Sequence, residues 1–282
     1  MLQVVDLAAA SAPQAVTESL VLSGFAVVEN HPVPLAELRD FYAAWDDFFV
    51  NGEHGRYVPD VKTQTGYFAP EQAETAKGGE AQDLKEYFQY CEGGKLPDDL
   101  KDMTLAYYNR LFSLGRNILN WVEENTAASL WRSLEKPLHE YLVTSHSMLR
   151  VLRYPPLTGH EPAGAIRAGA HEDINFITLL PAASQSGLEI KPRGQAWQPV
   201  DAPEGSIIIN IGDMLQELTE GKLPSTTHRV VNPTGEAAGY ARLTSPLFCH
   251  PEPDLRLSDR HTADSYLRER LEEINPLALK PR

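Results

Sequence analysis

Cysteine is almost absent: Cys91 and Cys249 are the only two in 282 residues. Their wide separation fits neither a CxxC motif nor a zinc-ligand spacing, and a disulfide scaffold normally needs more of them. Two reduced thiols are the expectation, and they suit a cytoplasmic chain. Long apolar runs are also missing. Nothing approaches the roughly 18 consecutive apolar residues of a membrane-spanning helix. The opening stretch MLQVVDLAAASAPQ has no basic start and carries Asp6, so no signal peptide is expected. Positive charge is scarce as well, with 25 Lys and Arg against 39 Asp and Glu and a formal net charge of −14. That balance argues against nucleic acid and against an anionic membrane surface as partners, since both want clustered Lys and Arg. There is no internal repeat, no low-complexity tract and no interdomain linker. These absences leave a cytoplasmic enzyme as the leading broad class. They leave the oligomeric state open.

What is present has the composition of an ordinary globular chain, 42% apolar and 23% charged. LQVVDL and FAVVEN read as short strands, with a helix through SAPQAVTESLVLSG between them that ends at Gly24. A second helix runs from about Pro34 to Phe49, its aromatic residues spaced for one apolar face. Residues 51–82 are polar and Gly-rich and read as loops with short strands that cover something. A long helix capped by Asp98 or Asp99 follows, then another from Thr126 or Ser129 through LWRSLEKPLHEYL, interrupted by Pro137. From Met148 to Pro251 the pattern changes to short apolar runs between Gly and Pro turns, which points to a β-sandwich or jelly roll. Thr262 to Ile274 reads as a closing helix. The simplest partition is one catalytic domain, 1–282. Residues 1–147 form a mostly helical N-terminal region, 148–251 the jelly-roll core, and 252–282 a C-terminal helix and tail.

Most of the nine histidines have bland readings. His54, His160, His250 and His261 read as surface residues, His139 and His146 as packed or solvated, and His31 as structural. His171 differs because Asp173 follows two residues later in HEDINFITLL; on a strand the two side chains would share a face. Such a pair is common by chance and carries little alone. His228, in STTHRVV, begins another strand candidate that a jelly roll can bring alongside. Two histidines and one carboxylate on one face leave other coordination positions open, the facial arrangement of non-haem Fe(II) oxygenases. A closed structural zinc site has no such vacancy. Arg242, in ARLTSPLF, sits on the next strand with Thr244 facing the same way. A guanidinium fork and a hydroxyl together can hold a carboxylate in one orientation.

In chain order, LRVLRYPP, HEDINFITLL, GLEI, SIIINIGDMLQELTEGKLPSTTHRVVNP and RLTSPLFCHP closely resemble the isopenicillin N synthase-like branch of the 2-oxoglutarate/Fe(II)-dependent oxygenase superfamily. SGFAVVENH, GYF and DLKEYF resemble it more loosely, so the likeness covers nearly the whole chain. The resemblance implies a mainly β fold, a double-stranded β-helix (a cupin-like jelly roll) with flanking helices. It implies an oxidoreductase that couples oxidative decarboxylation of 2-oxoglutarate to oxidation, most commonly hydroxylation, of a small molecule. His171, Asp173 and His228 match the iron ligands. Arg242 matches the Arg that pairs with the distal carboxylate of 2-oxoglutarate, and Thr244 stands where relatives have Ser. Tyr154 matches a Tyr that can bond the cosubstrate. Leu152 replaces an Asn found in many relatives, which removes a polar contact there. Fe(II), 2-oxoglutarate and O₂ are the implied cofactor and cosubstrates, with ascorbate as a reductant.

Strand alternation beyond Asp173 adds Asn175 and Ile177 to the inner face, Asn175 as a candidate contact to cosubstrate or substrate and Ile177 as core. Arg150 and Arg153 face opposite ways by the same period. By that period Cys249 falls opposite Arg242 and Thr244, provided Pro246 keeps the register. Three other readings stay open. An Fe(II) oxidase of the same fold does not consume 2-oxoglutarate, and the counterpart of Arg242 there can bind a substrate carboxylate instead. The others are a non-catalytic jelly-roll binding protein and a zinc hydrolase.

Overall fold

The computed structural model describes residues 2–60, 63–73 and 81–274. Strand β1 (Val4–Asp6) and strand β2 (Phe25–Glu29) are parallel neighbours joined by helix α1 (Ala12–Ser23). Gly24 ends α1 with a φ of 73°, its N–H bonding Leu20 O at 2.8 Å. A Cβ there would lie 2.2 Å from Pro224 O, so both backbone angle and space call for glycine. Helix α2 (Leu35–Asn51) buries Leu38, Phe41, Trp45, Phe48 and Phe49, the spacing of one apolar stripe. Strands β3 (Gly66–Phe68) and β4 (Glu86–Cys91) follow, then helix α3 (Lys101–Glu124).

The second half is strand-rich: β5 (Met148–Tyr154), β6 (Ala168–His171), β7 (Ile177–Pro181), β8 (Leu188–Lys191), β9 (Gln198–Pro199) and β10 (Ile207–Ile211). Helix α4 (Asp213–Leu218) leads to β11 (Thr227–Val230), β12 (Arg242–Thr244) and β13 (Leu247–Cys249), and helix α5 (Ala263–Ile274) follows. Among the described residues the strands form two sheets. The larger runs β1-β2-β10-β7-β13-β5-β4-β3, with β12 also paired to β5; the smaller runs β6-β11-β8-β9. This is the expected jelly roll with flanking helices.

Alternation along the strands sorts side chains between two cores. Leu149 and Val151 of β5 and Ile207, Ile209 and Ile211 of β10 join the helix-side core with α1, α2 and α3. Leu152 and Tyr154 of β5 and Ile208 of β10 face the smaller sheet with Phe25, Leu188 and Ile190. The space between the sheets is therefore lined by the even-numbered residues of β5.

Several local expectations change. The N-terminal region supplies four strands to the large sheet besides its helices; β4 pairs with β5 over six residues, from Glu86↔Arg153 to Cys91↔Met148. Residue 148 is thus no boundary in the sheet. Helix α3 begins after Leu100, with no side-chain cap from Asp98 or Asp99. The buried Leu100 side chain anchors the entry instead. No α-helix spans 126–142. Two 3₁₀ turns, 128–131 and 138–141, replace it. Pro137 cannot donate in a helix, and the Leu138 N–H is drawn to Glu123 Oε2 on α3 at 2.7 Å. Of the histidines read as surface residues only His160 is exposed. His54 stacks on Tyr67 with ring centroids 4.0 Å apart, while His250 and His261 are partly buried.

Candidate metal centre

His171 is the last residue of β6 and lies opposite His228 of β11 in the antiparallel register. Their ring centroids are 4.3 Å apart. Both Nδ1 atoms face backbone carbonyls, His171 that of Gly169 at 2.8 Å and His228 that of Thr226 at 3.1 Å. A carbonyl only accepts, so Nδ1 carries the proton and each Nε2 lone pair is free to point inward. Asp173 Oδ1 lies 3.8 Å from His171 Nε2 and 3.7 Å from His228 Nε2. One ligand atom from each of the three residues falls within 4.8 Å of the others.

Asp173 reaches this point by a route that strand alternation does not describe. β6 stops at His171, and Asp173 occupies the connection to β7. Its position is set by bonds instead. Oδ2 accepts from Asn210 Nδ2 at 2.8 Å and from Thr178 Oγ1, while the Asp173 carbonyl accepts from the Asp213 N–H at 2.7 Å. Those donors turn Oδ1 toward the histidines. Burial alone would raise the Asp173 pKa. The adjacent His228 and His171 and the bonds from Asn210 and Thr178 outweigh it and hold the carboxyl below its ordinary value. Partial loss of hydration against the centre, followed by the neighbouring His228, lowers the His171 pKa, which favours the neutral imidazole that a metal needs. The His171 side chain is 43% exposed against 10% for His228 and 5% for Asp173, so the centre opens on the His171 side.

Arg242 and Thr244 sit on β12 opposite Tyr154 and Leu152 of β5. Both are buried, at 3% exposure each. The Arg242 guanidinium lies 5.2 Å from the Tyr154 ring centroid and donates through Nε to Gln185 O at 3.0 Å. Arg242 Nη1 and Thr244 Oγ1 are buried with no hydrogen-bond partner. Two unpaired polar groups on neighbouring inward positions are costly unless something binds there. A carboxylate would satisfy both.

Asn175 is buried, but its Nδ2 donates to Thr178 Oγ1 at 3.0 Å, placing it behind Asp173. Ile177 packs as core, but it points into the helix-side core rather than to the inner face, because alternation counted from Asp173 does not run through the connection into β7. Arg153 pairs with Asp46 at 2.7 Å and Glu86 at 3.1 Å on the helix side. Arg150 turns the other way, its guanidinium 4.5 Å from the Tyr87 ring centroid and its Nε on Gln89 Oε1 at 2.7 Å. Cys249 points into the helix-side core while Arg242 and Thr244 face inward, so the break at Ser245–Pro246 keeps the register.

Sequence reasoning missed Thr178 and Asn210. Asn210 had a signal, a lone amide in the apolar run IIINI; Thr178 had none. Lys85 was missed too. It pairs with Asp83 at 2.9 Å, and Asp83 accepts the Gly169 N–H at 2.8 Å, one bond from the His171 anchor. A cleft of about 660 Å³ runs beside this pair, lined by Pro70, Gln82, Pro155, Leu157 and Glu161 among others. Pro70 and Gln82 thus bring the later part of the polar 51–82 stretch to a cleft; its residues 61, 62 and 74–80 lie outside the described residues.

Residues 145–251 match the model of the 2OG-Fe(II) oxygenase superfamily. The chain is 30% identical over 273 residues to a 2-oxoglutarate-dependent dioxygenase, traH, of Penicillium crustosum, covering 87% of this chain and 80% of that one. Among solved structures, it resembles a Shewanella oneidensis protein provisionally described as an oxygenase. That match has a TM-score of 0.88 and 40% identity over 98% of this chain and 99% of the other. It also shares its fold with a full-length Neurospora crassa protein solved in complex with alpha-KG, with a TM-score of 0.78, 20% identity and coverage of 96% and 95%.

Proposed function

Because the chain belongs to the 2-oxoglutarate/Fe(II)-dependent oxygenase superfamily, we propose that His171, Asp173 and His228 hold its iron and that Arg242 and Thr244 hold its cosubstrate. The enzyme is a dioxygenase that couples decarboxylation of 2-oxoglutarate to oxidation of a small molecule. The donor set fits: two imidazole Nε2 atoms and one carboxylate oxygen converge on one point and leave the side by His171 open. When bound, Fe(II) supplies the redox chemistry by which O₂ converts 2-oxoglutarate to succinate and CO₂ and oxidises the substrate.

The protein's own contribution is placement. Gly169 O and Thr226 O fix the two rings, and Thr178 and Asn210 fix the carboxylate. Arg242 Nη1 and Thr244 Oγ1 receive the distal carboxylate of 2-oxoglutarate in a dry pocket walled by Tyr154 and Leu152. In that setting a charge-assisted bond is strong and orientation is preset. Asn175 acts one step further back, through Thr178. Hydroxylation of a small molecule is the outcome we favour, and reduced thiols and a ferrous centre both suit a cytoplasmic enzyme. We take the two sheets and their helices as one catalytic unit, since β4 and β5 form a continuous ladder.

One observation carries the cosubstrate assignment: the buried, partnerless pair Arg242 Nη1 and Thr244 Oγ1. The test is anaerobic. Apoprotein loaded with Fe(II) should develop the visible charge-transfer absorption of an iron-bound 2-oxoacid when 2-oxoglutarate is added. Arg242→Met should retain iron but weaken the 2-oxoglutarate response about a hundredfold, the loss of a buried charge-assisted pair. Wild type that takes up iron and gives no such band overturns the assignment and favours an oxidase that dispenses with 2-oxoglutarate.

A further inference from the structure

A second arginine lies against the same pocket. Arg167 immediately precedes β6 and is fully buried, at 0% exposure. Few side chains are less suited to that position, because an unneutralised guanidinium loses all its hydration there. Among the described residues neither Arg167 nor Arg242 has a carboxylate partner. Arg167 donates instead to neutral oxygens, Gln185 Oε1 at 3.2 Å and Tyr240 O at 3.1 Å, and its Nε has no partner.

The two arginines share their surroundings. Arg242 bonds the backbone oxygen of Gln185 and Arg167 bonds its side chain. Both guanidiniums lie against Tyr154, 5.2 Å and 5.9 Å from its ring centroid. Burial, followed by repulsion from Arg242, pulls the Arg167 pKa down to about 10, so it is still a cation at neutral pH. The pocket thus holds two like charges, with Arg242 Nη1, Thr244 Oγ1 and Arg167 Nε all lacking partners.

We infer that Arg167 is a positioning residue for the cosubstrate: it supplies a second positive charge to the distal-carboxylate pocket and, through Gln185, braces Arg242 in its binding orientation. A ligand carboxylate placed at Arg242 relieves the repulsion between the two arginines as well as pairing with one of them. The selectivity of the pocket for a diacid over a monoacid then comes from both guanidiniums. This inference rests on the cosubstrate assignment above and goes beyond it. The plainer account makes Arg167 a prop that ties the 184–187 turn to Tyr240 with no effect on ligand choice.

The two accounts separate by comparing 2-oxoglutarate with 2-oxopentanoate, which has the same chain length and chelating end but no distal carboxylate. Dissociation constants for both are measured anaerobically on the Fe(II) protein, by calorimetry and by the charge-transfer absorption. In Arg167→Gln the preference for 2-oxoglutarate over 2-oxopentanoate should fall by on the order of tenfold, the effect of one charge acting through partly screened protein. The affinity for 2-oxopentanoate should stay near wild type. Arg167→Met is read the same way and serves if the amide does not fold, since replacing a buried ion by an apolar side chain of similar length is often tolerated. An unchanged preference in the folded variant, whether both affinities hold or both drop together, overturns the inference and leaves Arg167 a prop. Failure of wild type to bind 2-oxoglutarate at all would instead overturn the cosubstrate assignment.

Discussion

Replacing Thr178 with Val should weaken metal binding although Thr178 is not itself a ligand. The two side chains have nearly the same shape, and valine suits a strand, so β7 should be kept. What changes is bonding. Thr178 Oγ1 donates one of the two bonds on Asp173 Oδ2 and accepts from Asn175 Nδ2 at 3.0 Å. Removing the hydroxyl leaves Asn210 as the remaining side-chain donor to Asp173. It also strands Asn175 Nδ2, beside an Oδ1 that already lacks a partner. A hydrogen bond to a charged group contributes about 1.5–3 kcal/mol. Loss of a group that orients a ligand typically costs roughly 10–100-fold in metal affinity, which is the same range. The Asp173 pKa should also rise, because the Thr178 bond helps to lower it. Protons then compete earlier as pH falls, and metal loading should be lost at a higher pH than in wild type. Anaerobic Fe(II) titration followed by calorimetry measures both effects. Thr178→Ser keeps the hydroxyl and should bind nearly as wild type. Wild-type affinity in Thr178→Val, or an equal loss in Thr178→Ser, would refute the orienting role.

Three further predictions follow from particular contacts. Burial depresses the His250 pKa from 6.5 to about 4, with its bond to the Phe248 carbonyl only partly opposing. Above pH 6.5 both folded and unfolded forms are neutral. As pH falls from there toward 4 the unfolded chain takes up a proton that the folded one does not, so stability declines by up to about 1.4 kcal/mol per pH unit. Urea unfolding at pH 7 and pH 5 should show this loss, and His250→Gln should show less of it. Gly212→Ala would place a Cβ 2.2 Å from Asn175 O and 2.3 Å from Asn175 Oδ1. It should cost about 2 kcal/mol or more of stability and displace the Asn175–Thr178–Asp173 chain, lowering thermal midpoint and metal affinity together. Cys249 is fully buried and its thiol pKa is raised by burial, while burial raises Cys91 to about 11. Native protein should therefore label slowly with a thiol reagent at pH 8, and both cysteines should react after denaturation.

The residue types of the centre were legible in the chain because metal and carboxylate chemistry restricts them: a His-x-Asp pair, a later His, and an Arg with a hydroxyl residue two positions on. The alternation that opposes Arg150 to Arg153 and Cys249 to Arg242 was legible as well, since a strand imposes it locally. Helix caps and connections were less so. Leu100 displaced Asp98 and Asp99 at the start of α3 because burial of an apolar anchor outweighed a surface cap. The expected helix after 126 gave way to two turns, the second of them tied to Glu123 through the Leu138 N–H.

Convergence belonged to the tertiary structure alone. Asp173 reaches the histidines after its strand has ended, held by Thr178 on β7 and Asn210 on β10. Arg167, just before β6, joins Arg242 of β12 because both meet Tyr154 of β5 and Gln185 of the connection between β7 and β8. Local period says which way a side chain points, but only strand pairing between distant segments says what it meets. The chain by itself therefore determined the chemistry available to this protein, and the pairing of its two sheets decided which buried charges that chemistry must satisfy.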